Sequence, residues 1–128
     1  PEMKIGMIPG SGGSVRLARM IGLSRVKDMI MRGKKISGEE AFNLGLASEV
    51  VEKDKLEITI SKLVDELCSV SPLAQRAIKT VLNTSQDAPL HVAIELEGET
   101  YGRLRSSDDF NEGVKSFVEK RKPVYKGY

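Results

Sequence analysis

Few side chains in this sequence have the types and spacing to do chemistry. One carboxylate, Glu2, stands before a short apolar run from Met3 to Ile8 that is interrupted by Lys4 and Gly6. Pro9 follows, then Gly10, Gly12 and Gly13, and Ser14 precedes an apolar-periodic segment. A carboxylate can serve as a general acid or base. Glycines at this density let backbone N–H groups approach a ligand closely, because no Cβ intervenes. The unpaired N–H groups at a helix start favour anions and polar ligands. Residues 1–17 therefore predict a short extended piece, a tight glycine loop and a helix start. Two nucleotide-binding patterns fail here. A phosphate loop needs Gly-Lys-Ser/Thr, whereas the chain has Gly13-Ser14-Val15. The dinucleotide fingerprint needs a glycine where Val15 stands. On spacing alone the glycines make a turn before a packed helix, and Glu2 reads equally well as a solvated carboxylate.

The remaining reactive types are isolated. His91 is the single histidine, near a helix start, with no acid or nucleophile at recognisable spacing, which marks it as surface or structural. Cys68 lies beside an apolar stripe and reads as a small buried hydrophobe. One histidine and one cysteine cannot build a zinc site. The lone thiol excludes an internal disulfide and fits a reducing, cytoplasmic setting.

The elements that must position these groups are mostly helical. At 128 residues, 40% hydrophobic and 30% charged, the chain has the length and composition of one globular domain. A net charge of +2 gives no argument for nucleic acid, and no apolar run reaches the roughly 20 residues of a membrane span. The first helix has Val15, Leu17, Ala18, Met20 and Ile21 on its apolar side, and Gly22 can end it in a left-handed conformation. Ser24 is expected to cap a second helix that Gly33 ends. Ser37 with Glu40 forms a capping box for a third, stopped by Gly45. Leu56, Ile60, Leu63, Val64 and Leu67 predict a helix with one buried face over 54–69. Ser71-Pro72 starts another, with Leu73, Ala77, Ile78, Val81 and Leu82 inward. The segment from Asp87 to Arg105 predicts the longest helix, with Leu90, Ile94, Tyr101 and Leu104 on one side. Ser107 caps the last helix. Its acidic start and basic end, Lys120-Arg121-Lys122, suit the helix dipole, and Phe110, Val114, Phe117 and Val118 form its apolar face. Pro123 ends it. The expected fold class is mainly α, six or seven helices with one or two short strands, the strand candidates being the opening segment and Ala47 to Val51.

Three separated motifs carry a family resemblance. Pro1-Glu2, Gly6, Ile8-Pro9-Gly10, Gly12-Gly13 and Arg16-Leu17 form the first. Ile36 to Ala41 with Leu44 to Ala47 and Val50-Val51 form the second. Asp108-Asp109, Glu112-Gly113 and Ser116 to Pro123 form the third. In that order they resemble the enoyl-CoA hydratase (crotonase) superfamily, over the second half of its usual length. The resemblance implies the C-terminal part of a crotonase-like α/β spiral fold, with 1–53 as the end of the core and 54–128 as a helical trimerisation region. It implies a lyase that adds water to a trans-2-enoyl-CoA, with an acyl-CoA substrate. It implies no separate cofactor, coenzyme A being part of the substrate. Position by position, Glu2 matches the second catalytic glutamate, and Gly10 the loop glycine whose N–H helps hold the water. Tyr101 matches an aromatic near the CoA adenine of a neighbouring subunit, and Lys120 a basic residue that meets CoA phosphates. Tyr101 also fits core spacing, and Lys120 a solvated helix end. The family's first glutamate and oxyanion-hole segments do not occur in these residues, so the chain alone is expected to be poorly active or inactive. A truncated enzyme, a short natural reading frame and one half of a split enzyme all fit. A trimer or hexamer, a structural role in such an assembly, a partner carrying the N-terminal half, and an isomerase of the same family are further expectations.

Overall fold

Helix stops and caps turn this sequence into seven α-helices: α1 (Gly13–Ile21), α2 (Leu23–Met31), α3 (Gly38–Asn43), α4 (Leu56–Cys68), α5 (Pro72–Ser85), α6 (Leu90–Leu104) and α7 (Asp108–Val118). The computed structural model describes residues 1–128. Two 3₁₀ turns, Glu2–Ile5 and Lys53–Lys55, complete the regular structure. There is no strand, which corrects both strand expectations. The opening residues coil because Gly6, at φ 77°, reverses the chain after one turn. Its N–H closes on the Met3 carbonyl at 3.3 Å. Residues 47–51 are irregular, since no neighbouring strand supplies the ladder that β-structure needs.

The chain forms two units, Pro1–Leu56 and Glu57–Tyr128. In the first, α1 packs on α2, and Ile21 and Val26 are its buried apolar side chains. Gly22 joins these helices at φ 87° and ψ 150°, so it is the cap between them and not a left-handed stop. It also displaces Ser24, which lies inside α2. The Ser37–Glu40 capping box forms in both directions, at 3.0 and 3.1 Å.

In the second unit α5 packs on α6. Val81 on α5 is its buried apolar side chain, and Thr100 on α6 is also buried. Ser71 caps α5 through the Ala74 N–H, with Pro72 at the first helical position. Of the α6 side set out by the spacing, Leu90, Ile94 and Tyr101 face outward and Leu104 is half-covered, while Ala93, Leu96 and Thr100, about a quarter turn round the helix, are covered. On α4 no residue is buried: Leu56, Ile60, Leu63, Val64 and Leu67 share a face and are each exposed. Cys68 at its end is exposed, contrary to the expected buried thiol. No helix is long and apolar enough to cross a membrane.

Candidate functional site

Around Glu2 and Gly10 the first unit builds a short, braced loop. Glu2 opens the first 3₁₀ turn and is half-buried. Its carboxylate is held below the usual range by a hydrogen bond from its own backbone N–H and then by the Pro1 ammonium, 3.0 Å from Oε2. The Gly10 carbonyl accepts from the Gly13 N–H at 3.0 Å, a turn that leaves the Gly10 N–H unused. Nothing lies within 4 Å of where a Cβ on Gly10 would stand. Ser11 and Gly12 both take left-handed backbone, φ 55° and 81°. Arg16 folds back over them and donates to the Ser11 carbonyl at 2.5 Å. A Cβ on Gly12 would sit 2.8 Å from the Arg16 Nε. The glycines therefore do two jobs: Gly12 admits the arginine brace, and Gly10 leaves open space beside its backbone. This places a carboxylate and an accessible N–H-bearing loop in one unit.

The second unit carries Tyr101 and Lys120. Tyr101 lines an open groove of about 500 Å³ with Leu104, Phe110, Val114, Phe117 and Tyr125. The Arg105 guanidinium lies 6.0 Å from its ring centre, a cation–π distance. Lys120 does not line this groove. It sits just beyond α7 in a left-handed conformation, φ 53°. Its N–H reaches the Phe117 carbonyl at 3.3 Å and the Arg121 N–H reaches Ser116 at 3.0 Å. That pair of bonds is a Schellman stop, in which the left-handed position is usually glycine.

The chain from Glu119 to Tyr128 is a strap, tied to α7 by two acids. Glu112 accepts both terminal nitrogens of Arg121, at 2.5 and 2.8 Å, and the Val124 N–H at 2.8 Å. Glu119 holds the Arg121 Nε at 2.6 Å. These contacts, the arginine first, depress the Glu112 carboxyl to about 2 and raise the Arg121 guanidinium. Asp109 is 3% exposed. Its Oδ1 accepts from the Lys126 and Gly127 N–H groups at 2.8 and 3.0 Å, and its Oδ2 from the Ser71 hydroxyl at 2.6 Å. Burial raises its pKa, yet these hydrogen bonds together outweigh burial and lower it. Gly113 completes the seat, with the Tyr125 hydroxyl 3.3 Å from where its Cβ would be.

The inward face of α7 is thus Asp109, Glu112, Gly113 and Ser116, spaced i, i+3, i+4, i+7. Phe110, Val114, Phe117 and Val118, expected inside, are exposed. Sequence reasoning assigned Asp109 and Glu112 to the helix dipole and missed the clamp. The available signal was a polar helical stripe broken by a glycine and followed by an arginine.

The family described as enoyl-CoA hydratase/isomerase matches residues 1–128. The chain is 37% identical to methylglutaconyl-CoA hydratase 1, mitochondrial, of Pyricularia oryzae, covering 99% of this chain and 41% of that protein. It is 32% identical to the short-chain-enoyl-CoA hydratase of Clostridium acetobutylicum, covering 95% and 47%. The crystal structure of enoyl-CoA hydratase from Bacillus anthracis superposes with a TM-score of 0.95 at 35% identity, covering 99% of this chain and 49% of that one. The chain spans about half the length of the relatives it matches.

Proposed function

The chain belongs to the enoyl-CoA hydratase/isomerase family, and from that premise we propose that the protein it represents adds water to a trans-2-enoyl-CoA. The observation that carries this is a family match over the whole chain in which Glu2 and an open Gly10 loop share one unit. In the reaction, water gives its oxygen to C3 of the thioester and a proton to C2. Glu2 is the general acid/base, and the Gly10 N–H helps hold the water. Tyr101 lies near the adenine of the coenzyme A of a neighbouring subunit, and Lys120 meets coenzyme A phosphates. Coenzyme A enters as part of the substrate, and no cofactor is required.

We read the 128 residues as the C-terminal half of a crotonase-like spiral fold, on the order of the three sequence motifs. The other glutamate and the oxyanion-hole N–H groups then come from another part of the complete protein or from a partner chain. Loss of a single oxyanion donor slows such reactions by about 10²–10³, so this polypeptide alone is poorly active or inactive. The assay is hydration of crotonyl-CoA. The complete protein turns over, Glu2→Gln loses about 10²–10⁴-fold, and the 128-residue chain alone shows little or no turnover. Full turnover by Glu2→Gln would sink the assignment. A cytoplasmic trimer or hexamer completes this picture. Double-bond isomerisation is the competing chemistry, since the family name spans both; 3-enoyl-CoA consumed without water uptake would favour it. A purely structural role as the assembly half of an enzyme is favoured by the uncovered face of α4.

A further inference from the structure

Lys120 occupies a backbone conformation that suits glycine, and two elements hold it there. The Schellman stop fixes its N–H and that of Arg121. The next residue, Arg121, is forked onto Glu112 and bonded to Glu119. Further on, the strap is fastened again, where the Val124 N–H meets Glu112 and the Lys126 and Gly127 N–H groups meet Asp109. The Tyr128 carbonyl accepts from the Asp109 N–H at 3.1 Å, which closes the last turn of the strap. The Schellman stop accounts for a left-handed residue at the helix end, but not for the fastenings of the strap beyond it. Left-handed backbone at a non-glycine residue persists where the surroundings over-determine it, and such residues gather at ligand sites.

We propose that the strap is a positioning device for Lys120: the Glu112–Arg121 fork, backed by Asp109, fixes the backbone from which the Lys120 ammonium meets the phosphates of coenzyme A. Glu112, Arg121 and Asp109 are positioning residues and touch no substrate. The inference rests on the proposed reading of Lys120 as a phosphate ligand. It adds that the site is set by a carboxylate lock, and that glycine is excluded at position 120 by ligand binding and not by folding.

The experiment uses the complete protein and four variants, Lys120→Ala, Lys120→Gly, Glu112→Gln and Arg121→Lys. Coenzyme A and its 3′-dephospho form are titrated by calorimetry, KM and kcat are measured with crotonyl-CoA, and hydrogen exchange follows the Val124, Lys126 and Gly127 amides. Lys120→Ala and Lys120→Gly raise the Kd for coenzyme A roughly three- to tenfold, in the range of exposed charge-assisted contacts. Lys120→Gly does so without lowering Tm. Glu112→Gln and Arg121→Lys speed exchange at Val124 and raise KM two- to fivefold, on the order expected for a misaimed surface charge, with kcat unchanged. If either lock variant frees the strap but leaves KM and Kd at the wild-type values while Lys120→Ala weakens binding, the strap is structural and the proposal is wrong. If Lys120→Ala binds coenzyme A as tightly as wild type, the phosphate-ligand reading falls and the lock falls with it. If Glu112→Gln does not fold, Arg121→Lys decides alone, because it keeps the charge and loses the fork.

Discussion

At the scale of single residues, the strongest commitments of this chain are made by Glu112 and Gly12. The folded-state carboxyl of Glu112 is depressed from 4.5 to about 2 by Arg121 and the Val124 N–H. A depressed carboxyl contributes stability that is fully present above its unfolded value and is lost as pH falls through the folded one. The stability gap between wild type and Glu112→Gln should therefore be constant above pH 4.5 and close as pH falls toward 2, read by thermal unfolding at stepped pH. A gap that instead changes near neutrality would mean that another group carries the strap. Gly12 makes a different kind of commitment. Its φ of 81° penalises any side chain, and a Cβ would meet the Arg16 guanidinium. Gly12→Ala should cost about 1–2 kcal/mol from the backbone alone and release the brace on Ser11, measurable by denaturant unfolding. An alanine variant as stable as wild type would show that the loop readily adopts another shape.

At the scale of elements, caps were legible in the sequence and faces were not. Ser37, Ser71 and Ser107 each accept the N–H three residues on, as their spacing predicted. A cap is a local device, satisfied within four residues, so local sequence contains it. Ser24 failed for an equally local reason: Gly22 had already turned the chain into α2. Ser37→Ala is accordingly expected to cost about 1 kcal/mol and Ser24→Ala to be close to neutral, a contrast that chemical denaturation resolves. Ser24→Ala matching Ser37→Ala would argue that the second helix starts where the spacing suggested. Faces depend on what packs against them, which local sequence does not record. Apolar periodicity on α7 pointed to Phe110, Val114, Phe117 and Val118, yet the buried side is Asp109 and Ser116, because the strap offers backbone N–H groups and not hydrocarbon. The strand expectations failed likewise: the β-branched residues near Val50 were visible, but no partner strand lies in these residues. The candidate site divides along the same line. A carboxylate before a glycine turn was legible in local order, whereas the hydrogen bonds that tie the strap to α7 join residues 9 to 18 positions apart.

At the scale of the whole molecule, surface area sets the constraint. The chain exposes 10271 Å² at 14.1 kDa. Two separate compact bodies of half that mass would together expose about 8,100 Å² by the usual scaling for folded monomers. The surplus, about 2,000 Å², is of the order that a stable interface buries. Much of it is apolar and ordered in stripes: Leu56, Ile60, Leu63, Val64 and Leu67 on α4, and Phe117 and Val118 at the end of α7. Apolar patches of that kind mark association surfaces. The isolated chain should therefore self-associate in light scattering at micromolar concentration, and a charge placed in the α4 stripe should reduce that association. Leu63→Asp is the sharper probe, since Leu63 is 42% exposed and supports no buried core. A polar residue there leaves the secondary structure intact by circular dichroism while lowering the apparent mass. If Leu63→Asp instead unfolds the helices, α4 is held by contacts within its own unit. If the wild-type chain stays monomeric at every concentration, the exposed stripes are tolerated by solvent and the surplus area has no partner to explain it.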